Sequence, residues 1–108
     1  MPSRIVNLDD ASELSGCVLT YGHFSTIHTG HIRYLRHARE ATRHLVVALI
    51  GDGLASGKAP YLFTQSERAE ALSLLGLADT IVLLESEELA KAIRILQPKT
   101  LVLGTELE

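Results

Sequence analysis

The chain has 108 residues, 46 % hydrophobic and 21 % charged, with a formal net charge of −3. That is one domain of common size and average composition, which excludes a disordered chain, a collagen-like repeat and a coiled coil. The single cysteine, Cys17, excludes an internal disulfide and a Cys-rich zinc site, and the acidic balance argues against a dedicated nucleic-acid binder.

No apolar run approaches the ~18 residues of a membrane span, and the first ten residues lack a signal-peptide core. No membrane partner is therefore expected, and a reducing, cytoplasmic setting is. Area scaling predicts that about two-thirds of the extended chain's surface is buried on folding, enough for a core without staples. Charge is unevenly spread. Arg33, Arg36, Arg39 and Arg43 oppose only Glu40 between His31 and His44, a local +3 that leaves −6 for the remainder. This stripe reads as a solvated helix face or as a contact for an acidic partner.

In chain order, residues 17–21 form a short β-rich run closed by Gly22. The spacing predicts a helix over about 29–43, with Tyr34, Leu35 and Ala38 on one side and Arg33, Arg36, His37 and Glu40 on the other. Residues 45–50 are continuously apolar, which fits a strand covered on both faces. A loop with Gly57, Lys58 and Pro60 follows. Thr64 or Ser66 can cap the next helix, with Glu67, Arg68 and Glu70 outward, Ala69, Leu72 and Leu75 inward, and Gly76 as its stop. Residues 80–84 read as a third strand. Ser86 is placed to cap a helix that ends before Pro98, and residues 100–103 form a fourth strand stopped by Gly104.

The order β-α-β-α-β-α-β predicts an α/β fold: a Rossmann-like three-layer sandwich with a parallel sheet of about four strands. In such sheets ligands bind at the carboxyl ends of the strands, near a topological switch point. The segments that follow predicted strands are 22–31, 51–58 and 104–108.

Segment 22–31 reads Gly-His-Phe-Ser-Thr-Ile-His-Thr-Gly-His and joins the first strand to the first helix. Amides at a helix start attract anions, and glycines at 22 and 30 allow close approach to the main chain. His28 and His31 share a face on a helical turn and can donate to phosphate oxygens as charge builds in a transition state. The same pair also reads as an incomplete metal site or as two solvent-exposed histidines. The glycines at 51, 53 and 57 have the wrong spacing for a dinucleotide fingerprint, and 53–59 misses the P-loop pattern.

The pattern Gly22-x-Phe24-x-x-x-His28-x-Gly30-His31 resembles the signature of the cytidylyltransferase-like nucleotidyltransferases. That family includes glycerol-3-phosphate cytidylyltransferase and the heptose-phosphate adenylyltransferase domains. The likeness extends to Lys58 after the second strand, to 65–68 (Gln-Ser-Glu-Arg) at a helix start, and to 103–106 (Leu-Gly-Thr-Glu) at a turn. It covers about 17–108. It implies nucleotidyl transfer from CTP or ATP to a small phosphorylated sugar or polyol, with Mg²⁺ on the triphosphate and a homodimer as the assembly.

By the same resemblance, His28, His31 and Lys58 are the catalytic residues. Tyr21, Gly22, His23, Phe24, Ser25, Gly30, Arg68, Gly104, Thr105 and Glu106 line the nucleotide, and no residue is assigned as a protein metal ligand. Two departures stand out. Ser25 occupies the place of the family's usual Asp. The family's further strand and its Arg-x-x-x-Ile-Ser-Ser/Thr-Thr-like helix have no counterpart before Glu108. The chain thus reads as one domain, 1–108, shortened at its C-terminal end. Both departures favour a second reading, a non-catalytic nucleotide-binding or scaffold module within a larger protein.

Overall fold

Runs of β-branched and leucine residues set the frame of the molecule. The computed structural model describes residues 3–22, 24, 29–40, 44–51, 64–85 and 89–103, with 29–31 and 103 described by backbone only. The strands are β1 (Arg4–Asn7), β2 (Val18–Gly22), β3 (Leu45–Leu49), β4 (Thr80–Leu83) and β5 (Thr100–Leu103). The helices are α1 (Thr29–Glu40), α2 (Gln65–Leu75) and α3 (Leu89–Leu96), and two 3₁₀ turns, Leu8–Asp10 and Ser12–Leu14, follow β1.

All pairings are parallel, and the order across the sheet is β1-β4-β3-β2-β5. The α/β class and the alternation are as expected, but the sheet has five strands where the sequence suggests about four. The added strand, β1, offers only Ile5 and Val6 as apolar residues and is largely exposed at the sheet edge. So short a run, paired with β4 some 75 residues away (Ile5 with Ile81), leaves little local signal.

β3 shows why the sheet is covered on both faces. Its five residues are all buried and alternate in direction. Leu45, Val47 and Leu49 join Leu35 and Ala38 of α1 and Ala69 and Leu72 of α2 in one cluster. Val46 and Ala48 join Ala92 and Leu96 of α3, with Leu8 and Leu14 from the 3₁₀ turns and Ala11 between them, in the other. Each fully buried aliphatic side chain contributes about 1.5–3 kcal/mol at most. Cys17 lies in the α3-side core, as a small buried residue, and desolvation raises its thiol pKa above the ordinary value of 9.0.

The boundaries of α2 follow its sequence signals. Thr64 is the N-cap. Its hydroxyl accepts from the Glu67 amide at 3.2 Å, and Glu67 accepts from the Thr64 amide at 2.9 Å, a complete capping box. Gly76 ends the helix at φ 66°, where a side chain would be strained. Arg68 does not point outward as its charge suggests: it is 2 % exposed. It lies one turn before Leu72 and so shares the face that meets the sheet. Leu75, expected inward, is 39 % exposed in the last turn. Ser86, the expected cap of α3, lies outside the described residues.

Arg39 also departs from the solvated stripe. It pairs with Asp79, whose Oδ2 accepts the Leu45 amide at 2.7 Å as well. Arg33 and Arg36 are exposed, as expected, and Arg43 lies outside the described residues.

Candidate functional site

The chain runs from β2 through β3 to β4 on one side of the sheet, then returns to place β5 against the other edge of β2. The switch point therefore lies at the carboxyl ends of β2 and β5. The start of α1 follows β2 closely in sequence there, and Gly30 and His31 fall in its first turn. A helix start leaves backbone N–H groups without intrahelical partners, which suits an anion.

Gly22 ends β2, paired with Leu49 of β3, and its carbonyl accepts from the Ile50 amide at 2.9 Å. Phe24 then turns away with φ 47°, uncommon for a residue with a side chain, while its ring is almost fully buried. Its ring stacks on Tyr34 of α1, with centroids 6.4 Å apart and planes 11° from parallel. Tyr34 in turn donates from its hydroxyl to the carbonyl of Val102 in β5 at 2.5 Å. One aromatic pair thus fastens the turn after β2, the first helix and the strand across the switch point. Left-handed backbone at a bulky residue costs on the order of 1–3 kcal/mol and persists only where packing enforces it. Phe24 meets that condition.

The neighbouring exit from β3 is built differently. Gly51 lies so close to the end of β4 that a Cβ would strike the Glu85 carbonyl oxygen and come within 2.5 Å of the Leu84 carbonyl oxygen. Only glycine fits, because of close approach rather than backbone angle. Arg68 reaches this end from α2 and donates from Nη1 to the Ile50 carbonyl at 2.9 Å. That bond holds the main chain at the end of β3.

Among the predicted site residues, Tyr21 and Gly22 end β2 and Phe24 follows, Gly30 and His31 fall in the first turn of α1, and Arg68 lies one strand away. Tyr21 is half-buried against the α3-side core. His23, Ser25, His28, Lys58, Gly104, Thr105 and Glu106 lie outside the described residues. Gly51 opens the 51–58 segment and Gln65 the 65–68 helix start that the sequence marks, without a role for either, and Tyr34 reads only as part of the apolar side of its helix. For Tyr34 a signal existed, a tyrosine on the apolar side of the helix, whose hydroxyl needs a partner when buried.

A family model described as cytidylyltransferase-like matches residues 19–108. The chain belongs to that family of nucleotidyltransferases. It is 35 % identical over 92 residues to a bifunctional protein HldE of Magnetococcus marinus, a match covering 82 % of this chain and 19 % of that protein. It is 30 % identical over 87 residues to an FAD synthase of Methanohalophilus mahii, covering 81 % of this chain and 61 % of that one. Among solved structures, a lipopolysaccharide core biosynthesis protein of Thermoplasma volcanium superposes with a TM-score of 0.68 at 26 % identity, over 80 % of this chain and 71 % of that one. The chain spans about a fifth of the length of the HldE protein it matches.

Among the described residues, no three or more of His, Cys, Asp and Glu are grouped to hold a metal ion. No helix among them is long and apolar enough to cross a membrane.

Proposed function

We propose that residues 1–108 act as one nucleotidyltransferase domain, transferring CMP or AMP from a nucleoside triphosphate to a small phosphorylated sugar or polyol. An oxygen of the acceptor phosphate bonds to the α-phosphorus, the bond to the bridging oxygen breaks, and pyrophosphate leaves. The observation that carries the reading is the first turn of α1, with Gly30 and His31, following closely in sequence on the end of β2 at the switch point. Membership of the cytidylyltransferase-like family supports the reaction class.

Such transfer needs positioning and charge neutralisation more than covalent chemistry. In this reading His28 and His31 donate hydrogen bonds to the α-phosphate and the leaving oxygen, and Lys58 holds phosphate charge. Amides from Gly22 to Phe24 cradle the α-phosphate. Residues 104–106 border the nucleotide from beyond β5. A divalent ion, Mg²⁺ in this proposal, would be held chiefly by the phosphate oxygens and would supply charge neutralisation. A homodimer and a cytoplasmic location belong to the same reading and rest on the family resemblance and on where nucleoside triphosphates are available.

The test is pyrophosphate release with CTP and with ATP, each against a panel of phosphorylated sugars and polyols. Release that requires both substrates is expected. Nucleotide binding without release for any acceptor would overturn the enzymatic reading in favour of a non-catalytic nucleotide-binding module.

A further inference from the structure

The first turn of α2 does more than begin a helix. Its capping box already satisfies the helix start through Thr64 and Glu67. The Gln65 side chain is used elsewhere: Nε2 donates to the Leu49 carbonyl at 3.0 Å and to the Leu84 carbonyl at 2.7 Å. These carbonyls sit at the carboxyl ends of neighbouring strands, where the amide of Leu84 also donates to Leu49 at 3.1 Å. One side-chain amide therefore clamps β3 to β4 at the point where the main chain leaves the sheet. Arg68 adds its bond to Ile50, and Gly51 permits the close contact with Glu85. The clamp connects to the candidate site through one further bond, from the Ile50 amide to the Gly22 carbonyl.

We propose that Gln65 is a positioning residue of the nucleotide site. By tying the ends of β3 and β4 it fixes Ile50 and Gly51, and through Ile50 it fixes Gly22, before nucleotide arrives. Preorganised groups cost no reorganisation when ligand binds, so loss of the clamp weakens nucleotide binding while leaving the chemical step nearly intact. The proposal rests on the nucleotidyltransferase reading for its functional half only.

Two variants separate the possibilities. Gln65→Met keeps the length and removes both donors, and Gln65→Glu keeps the shape and turns a carboxylate toward two carbonyl oxygens. Amide hydrogen exchange is read at Ile50 and Leu84, with Leu45 and Asp79 at the opposite end of the sheet as reference. Protection at Ile50 and Leu84 should fall about tenfold in Gln65→Met and further in Gln65→Glu, with Leu45 and Asp79 unchanged. The KM for the nucleoside triphosphate should rise about tenfold while kcat stays within about threefold, since one net hydrogen bond or two is worth about one decade. Unchanged protection overturns the clamp. An even loss at both ends of the sheet, or a fall in kcat with KM unchanged, overturns the positioning role. A parent chain that binds nucleotide but releases no pyrophosphate overturns the reaction, while the exchange comparison still decides whether Gln65 holds the strand ends.

Discussion

The two ends of the sheet are finished in opposite ways. At the amino end, polar groups close on one another. Asp79 accepts from Arg39 and from the Leu45 amide, its own amide donates to the Leu45 carbonyl, and its carbonyl accepts from Arg4. Ser3 donates to Ala78 at 2.6 Å and accepts from Ser73. At the carboxyl end, Phe24 is held in left-handed backbone, Gly51 has no room for a side chain, and α2 reaches across with Gln65 and Arg68 to grip carbonyls. At the first end, polar groups bond to one another and to the main chain. At the second, side chains grip the main chain where it leaves the sheet. Protein sites commonly combine a rigid scaffold with exits of this kind, because catalysis needs groups fixed before substrate binds.

The contrast can be broken by mutation. The largest expected effect is on chemistry at the carboxyl end. His28→Ala or His31→Ala should each cut pyrophosphate release by about 100-fold or more, with the melting temperature unchanged, as measured by turnover and thermal unfolding. Turnover unchanged from the parent in both variants would remove the proposed roles. Next is Gly51→Ala. Its methyl group must displace the backbone at Glu85, so a loss of about 3 kcal/mol in denaturant unfolding is expected, together with weakened nucleotide binding.

At the amino end, Asp79→Ala removes an acceptor from a main-chain amide and from Arg39 at once. Denaturant unfolding should show a loss of about 2 kcal/mol with KM unchanged. A shift in KM from that variant would mean that the two ends are not independent.

The smallest effect concerns Cys17 in the core. Burial raises its thiol pKa, so the folded chain holds the proton more tightly than the unfolded chain. Its contribution is full below the ordinary value of 9.0 and is lost as pH rises through the folded value. Stability should therefore dip at alkaline pH, and the dip should flatten in Cys17→Ala. That variant itself should cost about 1 kcal/mol at neutral pH.

Much of this frame is legible in the sequence. The continuous run at 45–50 announces a strand buried on both sides, and local chemistry marks Gly76 as the end of α2 and Thr64, beside Ser66, as a cap for its start. What escapes a linear reading depends on partners far along the chain. β1 gains its place only by pairing with β4. Arg68 looks outward by charge, and its partner at Ile50 is 18 residues away. Gln65 finds its acceptors 16 and 19 residues away, and no spacing rule marks a glutamine for that task. For the site, the pattern at 22–31 names the histidines and glycines, but not the Phe24–Tyr34 stack that fastens the turn to β5.

In the proposed function the nucleotide binds at the carboxyl end of the sheet, over the switch point. Backbone amide shifts recorded while CTP and ATP are titrated in, with Mg²⁺ present, test it directly. Large, saturable changes are expected at Gly22, Phe24 and Gly51 and none at Leu45 or Asp79. Saturable changes centred on Asp79, with Gly22 and Gly51 unmoved, would contradict it.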